Sequence, residues 1–198
     1  MKRIAVLLLA IGVAACGGAP QDDSESEPFT APGAEAEVHL DPNDPSILIR
    51  PFTAEQIRDE MVEGLRVLLR RTTPDGEIVE RWTVLEADGQ SVAIEYAQLD
   101  GGSAVTGEPG VNRATWVELR DHATFPAASA SRERRVMETA LGTHEGWFYR
   151  VESDDGDSID EFFFADDYPG APVLVVSSRG GAEIARMEQF ARLRPETR

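Results

Sequence analysis

The chain of 198 residues holds a single cysteine, Cys16, so its fold has no internal disulfide and must be stabilised by its core. Lysine is almost missing as well: Lys2 is the only one, and every other fixed side-chain cation is arginine. Against 19 Lys and Arg stand 36 Asp and Glu, a formal charge of −17. Phosphate backbones are held by clustered cations, so this balance excludes nucleic acid as a partner and gives no electrostatic hold on anionic lipid. There are 3 histidines, with no His-x-x-x-His pair, no His-Glu-x-x-His and no second thiol, which leaves a zinc centre without ligands. The acidic stretch Glu152 to Glu161 fails the calcium-loop spacing: with Gly156 in the sixth loop place, Val151 falls first and Phe162 twelfth. Gly101-Gly102-Ser103 is not the Gly-x-Ser-x-Gly elbow of a serine hydrolase. The expectation is a non-enzymatic protein with no catalytic residue, no metal and no cofactor. Nor is there an apolar run of the ~20 residues needed to cross about 30 Å of hydrocarbon.

What is present begins at the amino terminus. Lys2 and Arg3 precede the apolar run Ile4 to Leu9, and small residues follow as far as Val13-Ala14-Ala15-Cys16. A basic start, a short apolar core and small residues before a cut site make a secretory signal, here residues 1–15. Val13-Ala14-Ala15-Cys16 resembles the lipobox of bacterial lipoproteins. That resemblance implies a diacylglyceryl group on the Cys16 thiol, cleavage just before it, and acylation of the new amino terminus. Each buried CH₂ contributes about 0.8 kcal/mol, and two or three chains hold durably where one does not. Gly17 stands where lipoproteins kept at an inner membrane often carry Asp, so the resemblance implies a lipid-anchored protein of the cell envelope, at the outer membrane. Loss of Lys2 and Arg3 with the signal takes the formal charge from −17 to −19.

From Gly17 to about Pro45 the residues are mostly Ala, Gly, Pro, Ser, Asp and Glu. Too few are apolar to offset the cost of ordering the chain, which predicts an extended acidic tether. The reading is therefore a signal peptide over 1–15, a lipidated Cys16 with its tether over 16–46, and one folded domain over 47–198.

Two helix starts punctuate that domain. Thr53 with Gln56 and Thr115 with Glu118 have the spacing of capping boxes, and Phe52 with Ile57 that of a hydrophobic staple. The first helix is predicted to run to about Val62 and the second to end before Phe125-Pro126. Between and after them, segments of alternating polarity are separated by Pro74-Asp75-Gly76, Asp88-Gly89, Asp100-Gly101, Gly142-Thr143 and Asp155-Gly156. Such pairs between alternating runs are strong hairpin signals. Gly107 to Asn112 is predicted as a loop. Phe162-Phe163-Phe164 is apolar on both faces, which marks a covered, central strand. The predicted class is α+β: a curved antiparallel meander of seven to nine strands, an open half-barrel, with two short helices packed on it.

Trp82, Trp116, Trp147, Tyr149 and Phe163 either line a pocket for an apolar ligand or fill an ordinary core. The helix–meander–helix–meander order, from Pro51 to Arg194, is similar to that of the lipoprotein localisation factors (LolA, LolB) and of envelope lipoprotein domains. The likeness is of pattern alone, so it assigns no binding residue beyond Cys16. It implies a non-catalytic module that binds an apolar or lipidic ligand, or else a scaffold that docks a protein partner in the envelope. A pocket between sheet and helix favours the first; a filled core with a long bare edge favours the second.

Overall fold

The computed structural model describes residues 44–101, 103–153 and 156–195. The signal peptide, Cys16 and the tether up to residue 43 lie outside the described residues. Elements follow in the order α1 (Ala54–Glu60), β1 (Arg66–Thr73), β2 (Gly76–Ala87), β3 (Ser91–Leu99), β4 (Val105–Thr115), α2 (Trp116–Asp121), β5 (Ala130–Thr139), β6 (Gly142–Glu152), β7 (Ser158–Ala165), β8 (Leu174–Arg179) and β9 (Ala182–Leu193).

All nine strands form one antiparallel sheet, ordered β4-β3-β2-β1-β9-β8-β7-β6-β5. Two meanders, β1 to β4 and β5 to β9, are joined where β1 pairs with β9, Arg66 opposite Leu193. The sheet does not close, and β4 and β5 are its two edges. The expected α+β balance shifts strongly toward strand, because α1 and α2 have only 7 and 6 residues. Both capping boxes are made as predicted: Thr53 accepts from Gln56 N–H, Thr115 from Glu118 N–H, and each partner side chain reaches back to the cap. The hydrogen bonds Glu118 accepts from Thr115 hold its carboxyl below the ordinary glutamate range. Capping sets where a helix starts, not how far it runs. α1 stops short of the predicted Val62, and the chain turns through Gly64 at φ +82° directly into β1.

Topology forces the sheet to curve. Eight strand spacings of about 4.8 Å put the edges of a flat sheet roughly 38 Å apart. The link between those edges, residues 116–129, includes the helix α2 and spans only about 36 Å with its remainder fully drawn out. It does not run fully drawn out, since it turns after α2 and again after Pro126. The edges must therefore approach each other around the helices. One buried cluster accordingly joins Val92 and Ile94 of β3 and Val84 of β2 to Tyr149 of β6 and Phe164 of β7, through Phe52, Ile57, Trp116 and Phe125. A second, smaller cluster covers the outer face: Phe148, Phe163, Ala165, Val173 and Leu174.

β4 differs from expectation. Where Gly107 to Asn112 is predicted as a loop, the chain continues as an exposed edge strand to Thr115. Gly107 takes φ +74°, the ladder slips between Tyr96 and Gln98 opposite it, and Pro109 is tolerated because an edge needs no N–H on its open side.

Candidate functional site

The aromatic residues singled out above do not form one group. Trp116, on the first turn of α2, is buried, and its indole N–H donates to the Asp88 carbonyl at 2.9 Å. Tyr149 is fully buried; its ring lies 4.8 Å from Phe125 and 5.6 Å from Phe164. Its hydroxyl donates to the Ile49 carbonyl at 2.6 Å, and burial pushes its pKa up. Trp82 packs edge-on against Tyr96 at 5.4 Å, with its indole N–H buried and unpaired. Trp147 lies beneath the guanidinium groups of Arg132 (4.1 Å) and Arg134 (4.9 Å). These four share the inner face. Phe163 does not: Phe148 pairs with Phe163 while Trp147 pairs with Phe164, so strand alternation sends Phe163 to the outer face.

Among the described residues the inner face is packed by the chain itself. Phe52 and Ile57 from the α1 side, Trp116 of α2, and Phe125 occupy the hollow of the sheet. Residues 46–49 strap it shut: Leu48 N–H donates to Phe125 O, Ala127 N–H to Ser46 O, and Ile47 bridges Pro126. Arg132 binds the strap at the Ile49 carbonyl, 2.9 Å away. An open depression of about 210 Å³ lies apart from the aromatics, between Ala128–Ser131 and the Arg150 and Glu152 side of β6.

Two polar groupings escaped the sequence reading. Glu60, buried at the end of α1, binds Arg192 at 2.8 Å and also Arg194. Arg192 in turn donates to the buried Gln189, whose amide donates to the carbonyls of Ala171 and Pro172. The cluster ties α1 to β9 and to the loop before β8. The second is His144, whose Nδ1 lies 2.8 Å from Asp167 and whose ring meets Tyr168 edge-on. Its Nε2, the atom a hydrolytic His would turn to a nucleophile, is buried without a partner beside Gly142. This arrangement packs a hairpin tip. A glutamate on an amphipathic helix and a histidine in a turn give no advance sign of either environment.

The two edges differ in kind. β4 carries Pro109, the left-handed Gly107 and a register slip, all devices that spoil an edge for pairing. β5 has none of them across its 10 residues and pairs with β6 without a break from Ala130 to Thr139. Ser129 accepts from Glu152 N–H at 2.8 Å, and bonded and non-bonded pairs alternate along an antiparallel ladder. Ser131, Glu133, Arg135, Met137 and Thr139 therefore point their backbone groups at β6. Ala130, Arg132, Arg134, Val136 and Glu138 point theirs off the sheet. Val136, in the middle of that outward row, is 68% exposed. Arg134 is held by Asp166 and Glu145 at 2.6 and 2.7 Å, which raises its pKa; Arg132 and Glu138 have no ion-pair partner among the described residues.

The fold is thus an open, strongly bent antiparallel sheet closed over its own helices. No family model matches the chain, and no curated protein matches it in sequence. Among solved structures it is similar to a candidate lipoprotein from Parabacteroides distasonis, with 9% identity, TM-score 0.44, 67% of this chain and 96% of that one. A candidate exported protein with YmcC-like fold from Bacteroides fragilis matches with 9% identity and TM-score 0.45, over 73% of this chain and 100% of that one.

Proposed function

We propose that this is a lipid-anchored, non-catalytic scaffold module of the cell envelope that docks a protein partner along the free edge of β5. The anchor rests on Cys16 and the signal before it. The docking role rests on one observation: ten edge residues in unbroken register, five of them with backbone groups turned off the sheet, beside a second edge that is spoiled for pairing. The alternative ligand-binding role needs room between sheet and helices, and the described inner face is filled by Phe52, Ile57, Trp116 and Phe125. Anchoring raises the effective concentration of neighbours in the same membrane, so even a modest edge contact is useful there.

A photo-reactive residue replacing Val136 in the full chain, irradiated in intact cells, is expected to give a protein adduct. The same probe at Val111 on β4, 58% exposed, should give none. In a Cys16→Ser chain, acyl label should fail to enter and the adduct at 136 should fade with the lost membrane attachment. Equal adducts from both edges, no adduct at 136, or acyl label in the serine variant would overturn the reading.

A further inference from the structure

We infer that the occupant of the β5 edge is a second copy of this chain, paired antiparallel with Val136 on the twofold axis. This rests on the docking role proposed above and names its partner. The four central residues that point backbone groups outward are Arg132, Arg134, Val136 and Glu138, and a symmetric antiparallel pair must place one residue opposite itself. With Arg134 on the axis, arginine faces arginine; with Glu138 there, glutamate faces glutamate. Like charges directly opposed across a ladder are destabilising. An axis at Glu133 or Arg135, through a non-bonded pair, also opposes like charges, and one at Met137 sets Val136 against Glu138 and Arg134 against Ala140, so that no opposite charges meet.

Only Val136 on the axis satisfies every pair. The two exposed valines then cover each other, Arg134 of one copy lies opposite Glu138 of the other, and the exchange repeats on the far side of the axis. Arg132 falls opposite Ala140, diagonal to the same Glu138, within reach of a long side chain. Arg132 and Glu138, which have no ion-pair partner among the described residues of one copy, thus each gain one. The outward N–H and C=O groups of 134, 136 and 138 become ladder bonds. The β5–β6 tip is held on the body by Met137 and Leu141 against the outer cluster and by Ala140 N–H donating to Glu188 at 2.8 Å, so the edge at Val136 is fixed in place for pairing.

The test uses the full chain in its native membranes. Opposed residues of a bonded pair have Cα atoms about 5.5 Å apart, inside the range a disulfide spans. Under mild oxidation Val136→Cys is expected to give a disulfide-linked dimer, at least about fivefold more than Val111→Cys, with no dimer from the unsubstituted chain. Adding Glu138→Arg, which sets arginine against arginine, should cut the dimer to about a fifth or less. Glu138 has no ion-pair partner among the described residues, so that variant should fold, as circular dichroism will show. A monomeric Val136→Cys chain, equal linking at both edges, or indifference to Glu138→Arg would overturn the inference. A monomeric Val136→Cys chain beside a photo-adduct of another mass at 136 removes the second copy and leaves the docking edge standing; no adduct of any mass removes both.

Discussion

Gly146→Ala is expected to be among the most damaging single substitutions in the domain, costing about 3 kcal/mol or more. A Cβ built at Gly146 falls 2.1 Å from the Phe164 carbonyl oxygen and 2.9 Å from the Ala165 Cα. Both obstacles are backbone of the adjacent strand, so no side chain can swing aside. Relief requires β7 to move away from β6, yet the next pairs, Trp147 with Phe164 and Phe148 with Phe163, feed the inner and outer cores. Domains of this size are stable by about 5–15 kcal/mol, so the loss should be plain in urea unfolding at neutral pH. Gly89→Ala makes the control. Its Cβ would meet nothing within 4 Å, and the change should be neutral to within about 0.5 kcal/mol. Equal midpoints for the two variants would show that β6 and β7 do not approach as described.

Glu60→Ala should be of similar cost, about 3–5 kcal/mol. The Glu60 and Arg192 side chains are each only 8% exposed, so the substitution strands a buried guanidinium. Arg192 already has one buried nitrogen, Nε, without a partner, and its remaining bond to Gln189 neutralises no charge. The sign reverses when both charges go. Glu60→Leu combined with Arg192→Met replaces the pair by apolar groups and should recover most of the loss, because desolvating two charges cancels much of their attraction. A double-mutant cycle by chemical unfolding measures this directly. Loss in the double variant as large as the sum of the singles would mean the two residues act separately.

The local grammar of this fold was readable in the sequence, and its long-range closure was not. Thr53 with Gln56 and Thr115 with Glu118 form the expected capping boxes because a cap depends on residues three apart. The Asp88-Gly89 turn and the Gly142 hairpin lie where turn residues interrupt alternation, and Trp147, Tyr149 and Phe148 take the opposite faces that a period of two requires. The pairing of β1 with β9 joins residues more than a hundred positions apart, and no local pattern encodes it. Edge identity follows from that pairing, which is why β4, broken by Gly107 and Pro109, reads as a loop and β5 as one strand among several. Alternation separates Phe163 from Phe164, but only the placement of the helices decides which of them lies inside. Glu60 was illegible for a similar reason: its partners Arg192 and Arg194 arrive from the other end of the chain.

Among the described residues the hollow of the sheet is occupied by the chain's own Phe52, Ile57, Trp116 and Phe125. Native mass spectrometry of the full mature chain, released gently from membranes, tests this most directly. The predicted result is the mass of the polypeptide and its covalent acyl groups, with nothing further bound. A lipid or other apolar molecule retained in one-to-one ratio, and lost when Phe125 is replaced by a charged residue, would contradict it.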